Sequence, residues 1–194
     1  DDQLGDVFRH DIKSLGVEFH SAARNDGDPT ARCLILVTPD GERTMNTFLG
    51  ASQTLNPDDI DEQAVADAEI VYLEGYLFDP APAKEAFYKA ARVAHDNGRQ
   101  VALTLSDSFC VERHREEFRA LVKDEVDILF ANEAEITSLY ETRTFDDAAA
   151  MVRTDCPLAA LTRSEKGAVV VTATESYVVP ALPIGRVGDT PRCG

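Results

Sequence analysis

Apolar residues recur through the opening DDQLGDVFRHDIKSLGV at Leu4, Phe8, Ile12 and Leu15. That spacing lays one stripe along a helix, which Gly16 closes. A polar connection, RNDGDPT, leads to ARCLILVTPDGERTMNTFLG. There, two apolar or β-branched runs flank Pro39-Asp40-Gly41-Glu42 and predict a β-hairpin near residues 32–49. No helix of useful length interrupts it, so the hairpin is expected to project from the main body.

After Ser52 the rhythm changes. Asn56-Pro57 reads as a cap and first helical residue opening a short acidic helix. AEIVYLEG is a strand, and APAKEAFYKAARVAHDNG a helix with Ala86, Phe87, Ala90, Ala91 and Ala94 on its packed stripe and Gly98 as its stop. QVALTLS, VDILFA and LAALT follow as strands, with CVERHREEFRALVKD, NEAEITSLY and FDDAAAMVRT as the helices between them. GAVVVT and SYVVPAL form a closing hairpin-like pair. Strands such as VDILFA and LAALT are apolar nearly throughout, as expected where helices cover both faces of a sheet. The pattern predicts an α/β layered core with a small β appendage, divided as residues 1–16, a core helix; 17–52, the hairpin and its connections; and 53–194, the α/β core.

Ligands in such sheets sit beyond the C-terminal ends of the strands. That rule singles out the exits of YLEG, LTLSD, FANEAE and ALTRSEKG. Two readings stand for Asn132 and Glu135: a capping box closing the start of a helix, or groups ordering water around magnesium beside a polyphosphate. The roles compete, because a carboxylate bonded to its own cap is less free to orient metal-bound water. Glu133 is expected to point to solvent. In LTRSEKG, Thr162, Ser164 and Gly167 form either a plain turn or a phosphate-binding one, with Arg163 and Lys166 adding positive potential. Asp107 is a helix cap or a strand-end ligand-binding residue. Tyr76 is a half-buried aromatic or a platform for a flat ligand. Thr44, Asn46 and Phe48 share a hairpin face that would touch a ligand if the small sheet folds over the core.

Composition narrows the classes. The formal charge of −16 opposes nucleic acid and anionic membrane as partners. No apolar run is long enough to span a membrane. Cys33, Cys110, Cys156 and Cys193 are scattered, without a CxxC pair, so reduced thiols in a cytoplasmic protein are expected. The four histidines build no metal-ligand spacing, and His95 and His114 are placed on solvated helix faces. GxxxxGK[ST], GxGxxG and GxSxG do not occur.

In this order the pieces resemble the PfkB family of carbohydrate and nucleoside kinases, the ribokinase-like group, and most of all its adenosine-kinase-type bacterial members. ANEAE matches the N-x-x-E motif with Asn132 and Glu135, DGERTM followed by LGAS matches the lid sheet, and LTRSEKGAVVV matches the nucleotide-side turn. The resemblance implies a three-layer α/β/α core with a small β lid, and phosphoryl transfer from ATP to a hydroxymethyl group of a nucleoside or sugar. It implies Asn132 and Glu135 as phosphate and magnesium residues, Glu135 acting through water, and Thr162, Ser164 and Gly167 on the nucleotide side. Asn46, Phe48, Tyr76 and Asp107 are the implied substrate and lid residues. Asp107 is followed by Ser108-Phe109-Cys110 rather than by asparagine and arginine, which favours a nucleoside over a phosphosugar.

Members begin earlier and continue through D-T-x-G-A-G-D, whose glycines form an anion hole and whose last aspartate is the catalytic base. Here the text reads GRVGDTPRCG, with Asp189 at a position that neighbours a monovalent-cation (potassium) site in some relatives. The resemblance therefore implies a piece truncated at both ends, without a catalytic residue of its own and inactive by itself. The alternative is a non-catalytic nucleoside- or nucleotide-binding or dimerisation module, with a homodimer formed through the lid or an exposed sheet.

Overall fold

A computed structural model of the chain describes residues 1–182. Helix α1 (Gln3–Ser14) begins where the Asp2 carboxylate accepts from the Gly5 amide at 2.8 Å. The same carboxylate accepts from the Thr30 amide at 2.8 Å and the Thr30 hydroxyl at 2.7 Å, so one cap also ties the helix to the approach of the hairpin. Strands β1 (Arg32–Val37) and β2 (Arg43–Phe48) form that hairpin, in antiparallel register from Arg32 opposite Phe48 to Val37 opposite Arg43. Gly41 sits in its turn at φ 86°, a conformation open to glycine without strain.

The main body alternates β3 (Ile70–Glu74), α3 (Ala81–Asp96), β4 (Gln100–Thr104), α4 (Ser108–Arg113), α5 (Arg115–Glu125), β5 (Ile128–Asn132), α6 (Glu133–Tyr140), α7 (Phe145–Asp155) and β6 (Leu158–Thr162), preceded by the short helix α2 (Glu62–Asp67). Strands β7 (Ala168–Thr172) and β8 (Ser176–Val179) complete a six-stranded sheet in the order β3-β4-β5-β6-β7-β8. The first four strands are parallel; β7 and β8 are antiparallel.

Alternation along these strands divides the sheet into two unlike faces. Leu73, Val101, Leu103, Leu129, Ala131, Ala159, Leu161 and Val171 are buried under Phe87 and the alanines of α3, Phe118 and Leu121 of α5, Ile136 and Leu139 of α6, and Val152 of α7. On the other face, Ile70, Tyr72 and Phe130 are exposed. The α/β class and ribokinase-like arrangement hold, and among the described residues the helical cover lies on one face only.

Four local expectations change. The stripe of α1 is not packed: the helix holds no buried residue, and Phe8 meets Phe19 edge-on at 5.7 Å. The helix expected over CVERHREEFRALVKD is two helices, broken at His114. Nor is His114 solvated; its ring lies between the carboxylates of Asp79 (2.8 Å) and Glu117 (3.2 Å) and edge-on to Phe78. At Asn56 the cap is present, accepting from the Asp58 amide, but the segment it opens is a single tight turn, Pro57–Asp59.

Candidate active site

The parallel register brings the strand exits level. Glu74 pairs with Thr104, Thr104 with Phe130, and Asn132 with Thr162, so these side chains project from one sheet face at one edge. Glu74, Asp107 and Glu135 lie near enough there for the first two charges to add to the rise that burial causes in the Glu135 carboxyl.

Asn132 caps α6 by extended backbone at φ −91° and ψ 172°, and its side-chain oxygen accepts from the Glu135 amide at 2.9 Å. Glu135 returns two bonds: its Oε2 accepts from the Asn132 amide at 2.9 Å and its Oε1 from the Asn132 Nδ2 at 2.6 Å. The capping box is thus present in full, and the carboxylate is buried within it. Burial pushes the Glu135 carboxyl above its ordinary range, the Asn132 amide opposes this, and the charges of Asp107 and Glu74 add to the rise.

Asp107 is also a cap, accepting from the Phe109 amide at 2.6 Å at the start of α4. Ser106, just before it, is held at φ 67°, and its hydroxyl donates to the Glu74 carboxylate. Tyr76 follows β3 in the short helical turn Gly75–Phe78 and remains mostly exposed. Burial and the nearby charges of Asp107, Glu135 and Glu74 raise its phenol above the usual tyrosine range.

After β6, Thr162 is exposed, and Ser164 turns the chain at φ 52°. The Gly167 amide donates to the Ser164 carbonyl at 3.0 Å, closing the turn. Gly167 lies at φ 90°, and a Cβ there would stand 2.1 Å from the Val179 carbonyl oxygen. Passage of the chain beyond β8 therefore demands glycine at this position, independently of any phosphate. Arg163 and Lys166 do not face the Asn132–Thr162 edge. Arg163 donates to both oxygens of Glu133 at 3.1 and 3.2 Å and lies 4.0 Å over the Phe145 ring, while the Lys166 ammonium is 3.6 Å from Glu133. Glu133, expected in solvent, is the shared partner of both cations; its carboxyl is held low by Arg163 first.

The structure thus gathers Glu74, Tyr76, Asp107, Asn132, Glu135 and Thr162 at one edge, with Ser164 and Gly167 in the adjoining turn. Asn46 and Phe48 lie on the hairpin, where the Arg32 guanidinium covers the Phe48 ring at 4.9 Å. Asp189 lies outside the described residues. Among the described residues no group of three or more His, Cys, Asp or Glu side chains is arranged to ligate a metal directly. Cys110 and Cys156 are buried, and burial pushes each thiol up to about 11, which keeps them protonated.

The profile described as "pfkB family carbohydrate kinase" matches residues 1–191. The chain belongs to the pfkB family of carbohydrate kinases. Among solved pfkB-like structures, adenosine kinase from Sinorhizobium meliloti is 51% identical, with a TM-score of 0.93, over 98% of this chain and 58% of that one. A probable sugar kinase from Rhizobium etli is 50% identical, with a TM-score of 0.92, over 97% of this chain and 58% of that one. The ATP-dependent ribose-1-phosphate kinase of Halopiger xanaduensis is 29% identical over 100% of this chain and 60% of its own length. The chain therefore spans about three-fifths of these kinases. Among its described residues no helix is long and apolar enough to cross a membrane.

Proposed function

We propose that the protein to which this chain corresponds transfers the terminal phosphoryl group of ATP to a hydroxymethyl group of a nucleoside such as adenosine, with a sugar acceptor as the broader class. The observation that carries this reading is the level placement of Asn132 and Thr162 at the exits of β5 and β6, beside the acidic edge. The likeness to the Sinorhizobium meliloti adenosine kinase favours a nucleoside over a free sugar.

In the transfer, the acceptor oxygen forms a bond to the γ-phosphorus while the bond from that phosphorus to the bridging oxygen breaks, and ADP leaves. The acceptor proton passes to a base; the resemblance places that base beyond Asp189, and no residue of 1–182 is assigned its role. Asn132 and Thr162 would orient phosphate oxygens, Ser164 and the Gly167 turn would border the nucleotide, and Glu135 would hold a hydrated magnesium through its water. Magnesium supplies charge neutralisation of the phosphates. Tyr76 and Asp107 border the acceptor, and Asn46 and Phe48 on the hairpin close over it, excluding water. By itself the 194-residue chain is expected to turn over little, because Arg192 stands where the resemblance implies the first glycine of the anion hole.

Calorimetric titration of the purified chain with adenosine, ribose and magnesium-ATP, with ADP release measured in parallel, tests this. Binding of adenosine in preference to ribose is expected; a chain indifferent to both acceptors and to ATP would remove the proposal. The exposed apolar residues Leu34, Leu36 and Met45 of the hairpin favour a second reading, a dimerisation module. Tight dimerisation with no ligand bound would select that reading.

A further inference from the structure

The turn Gly75–Phe78 between β3 and α3 is fixed at both ends by contacts distant in sequence. At its start, a Cβ on Gly75 would stand 2.6 Å from the Thr104 carbonyl oxygen and 2.7 Å from that of Leu105, so the turn lies directly on the exit of β4. The Gly75 carbonyl accepts from the Cys110 thiol at 3.4 Å. At its end, Phe78 is fully buried and stacked on Phe118 at 4.3 Å.

Asp79 comes next. Its carboxylate accepts from Arg113 Nη2 at 3.0 and 3.1 Å and from Arg113 Nε at 3.2 Å, and meets His114 Nε2 at 2.8 Å. Both partners stand at the break between α4 and α5. On its other side His114 faces Glu117 and Lys84, each 3.2 Å from Nδ1, and Lys84 pairs with Glu117 at 2.6 Å. Burial alone would raise the Asp79 carboxyl, but the bonds from His114 and Arg113 outweigh it and hold the carboxyl low. The Asp79 side chain is about half exposed (48%), a position where an ion pair adds little to global stability. A forked guanidinium–carboxylate contact instead fixes direction.

We propose that Asp79 is a positioning residue: gripped by Arg113 and His114, it fixes the Gly75–Phe78 turn and holds the Tyr76 ring at the edge formed by Glu74, Asp107 and Glu135, as one wall of the acceptor site. That this wall faces an acceptor rests on the proposed phosphoryl transfer; the tether itself does not.

The Tyr76 phenol reports its own placement. Its shift comes first from burial and then from the charges of Asp107, Glu135, Glu74 and Cys110. Its titration, followed by phenolate absorbance in the full chain, is isolated as the difference between each protein and its Tyr76→Phe counterpart. In Asp79→Ala the Tyr76 titration is expected to move down toward that of an ordinary tyrosine, with the unfolding midpoint little changed. Asp79→Asn, which loses the same charge but keeps an acceptor oxygen, moves it less. A folded Asp79→Ala protein whose Tyr76 titrates as in wild type would overturn the proposal. Should that variant not fold, Arg113→Gln decides in the same way, a downward shift supporting the tether and an unmoved titration rejecting it. Failure of the wild-type chain to bind adenosine would count against phosphoryl transfer and leave the tyrosine result standing, so the two failures are read separately.

Discussion

Asn132 and Thr162 are register partners at the last positions of two adjacent parallel strands, so their side chains leave the same sheet face at the same edge. Their consequences for stability differ. Thr162 is exposed, and Thr162→Val is expected to change stability by no more than about 0.5 kcal/mol. Its loss as a donor to a phosphate oxygen is expected to weaken ATP binding by roughly 10- to 100-fold, the value of a hydrogen bond to a charged group. Titration calorimetry beside thermal unfolding checks both; equal ATP affinity in the two proteins would remove Thr162 from the nucleotide site.

Asn132→Ala should be far more costly. The cap itself is worth about 1 kcal/mol, and the buried Glu135 carboxylate loses its side-chain and local cap arrangement, a further ~1–3 kcal/mol. Denaturant unfolding would reveal the loss, and a near-wild-type midpoint would contradict the buried capping box.

Glu135 makes stability depend on pH in a defined sense. Its folded-state carboxyl is raised, mainly by burial, so its contribution is fully present below the unfolded carboxylate value and is lost as pH rises through the folded value. Glu135→Gln is expected to remove this downward slope. The amide also offers one acceptor oxygen where Asn132 has two donors to place, giving a pH-independent loss of about 1–3 kcal/mol. Unfolding curves across the acid-to-neutral range separate slope from offset, and an unchanged slope would refute the assignment.

Asp2 behaves in the opposite sense. Hydrogen bonds from the Gly5 and Thr30 amides and the Thr30 hydroxyl lower its carboxyl to about 2. The stability it contributes is present above the unfolded value of 3.8 and is lost as pH falls toward 2. Asp2→Asn should lose that acid-side dependence, read as the helical signal of α1 by residue-level nuclear magnetic resonance.

The turn after β6 holds two left-handed residues of unequal replaceability. Ser164→Gly relieves a left-handed serine worth about 1–2 kcal/mol, offset by about 0.5–1 kcal/mol of added chain entropy, for a net gain of up to ~1.5 kcal/mol. Gly167→Ala adds strain of ~1–3 kcal/mol at φ 90° and drives a methyl into the Val179 carbonyl. Thermal unfolding should move the two variants in opposite directions.

The features legible in the sequence were those written locally. Alanine spacing in α3, Pro39-Asp40-Gly41 between β1 and β2, and Asn132 three residues before Glu135 each encode their element within one turn or hairpin. The strand-exit rule then located the edge without knowledge of strand order. What escaped was long-range or a matter of covering. Nothing near His114 announces that Asp79, 35 residues earlier, will draw its ring in and break the helix. The periodicity of Leu4, Phe8 and Leu15 states that a face is apolar but not what packs on it. Glu133 likewise has no sequence mark of its ion pair with Arg163, because that pairing depends on α6 and the β6 turn meeting in space.

Among the described residues, each strand of the six-stranded sheet after β3 lies beside the strand that precedes it in the chain. A chain emerging from the ribosome can therefore lay each β–α unit onto an edge already in place, without waiting for a later strand to slip between earlier ones. Growth of this kind keeps loop closures short and favours a vectorial folding order, from β3 toward β8.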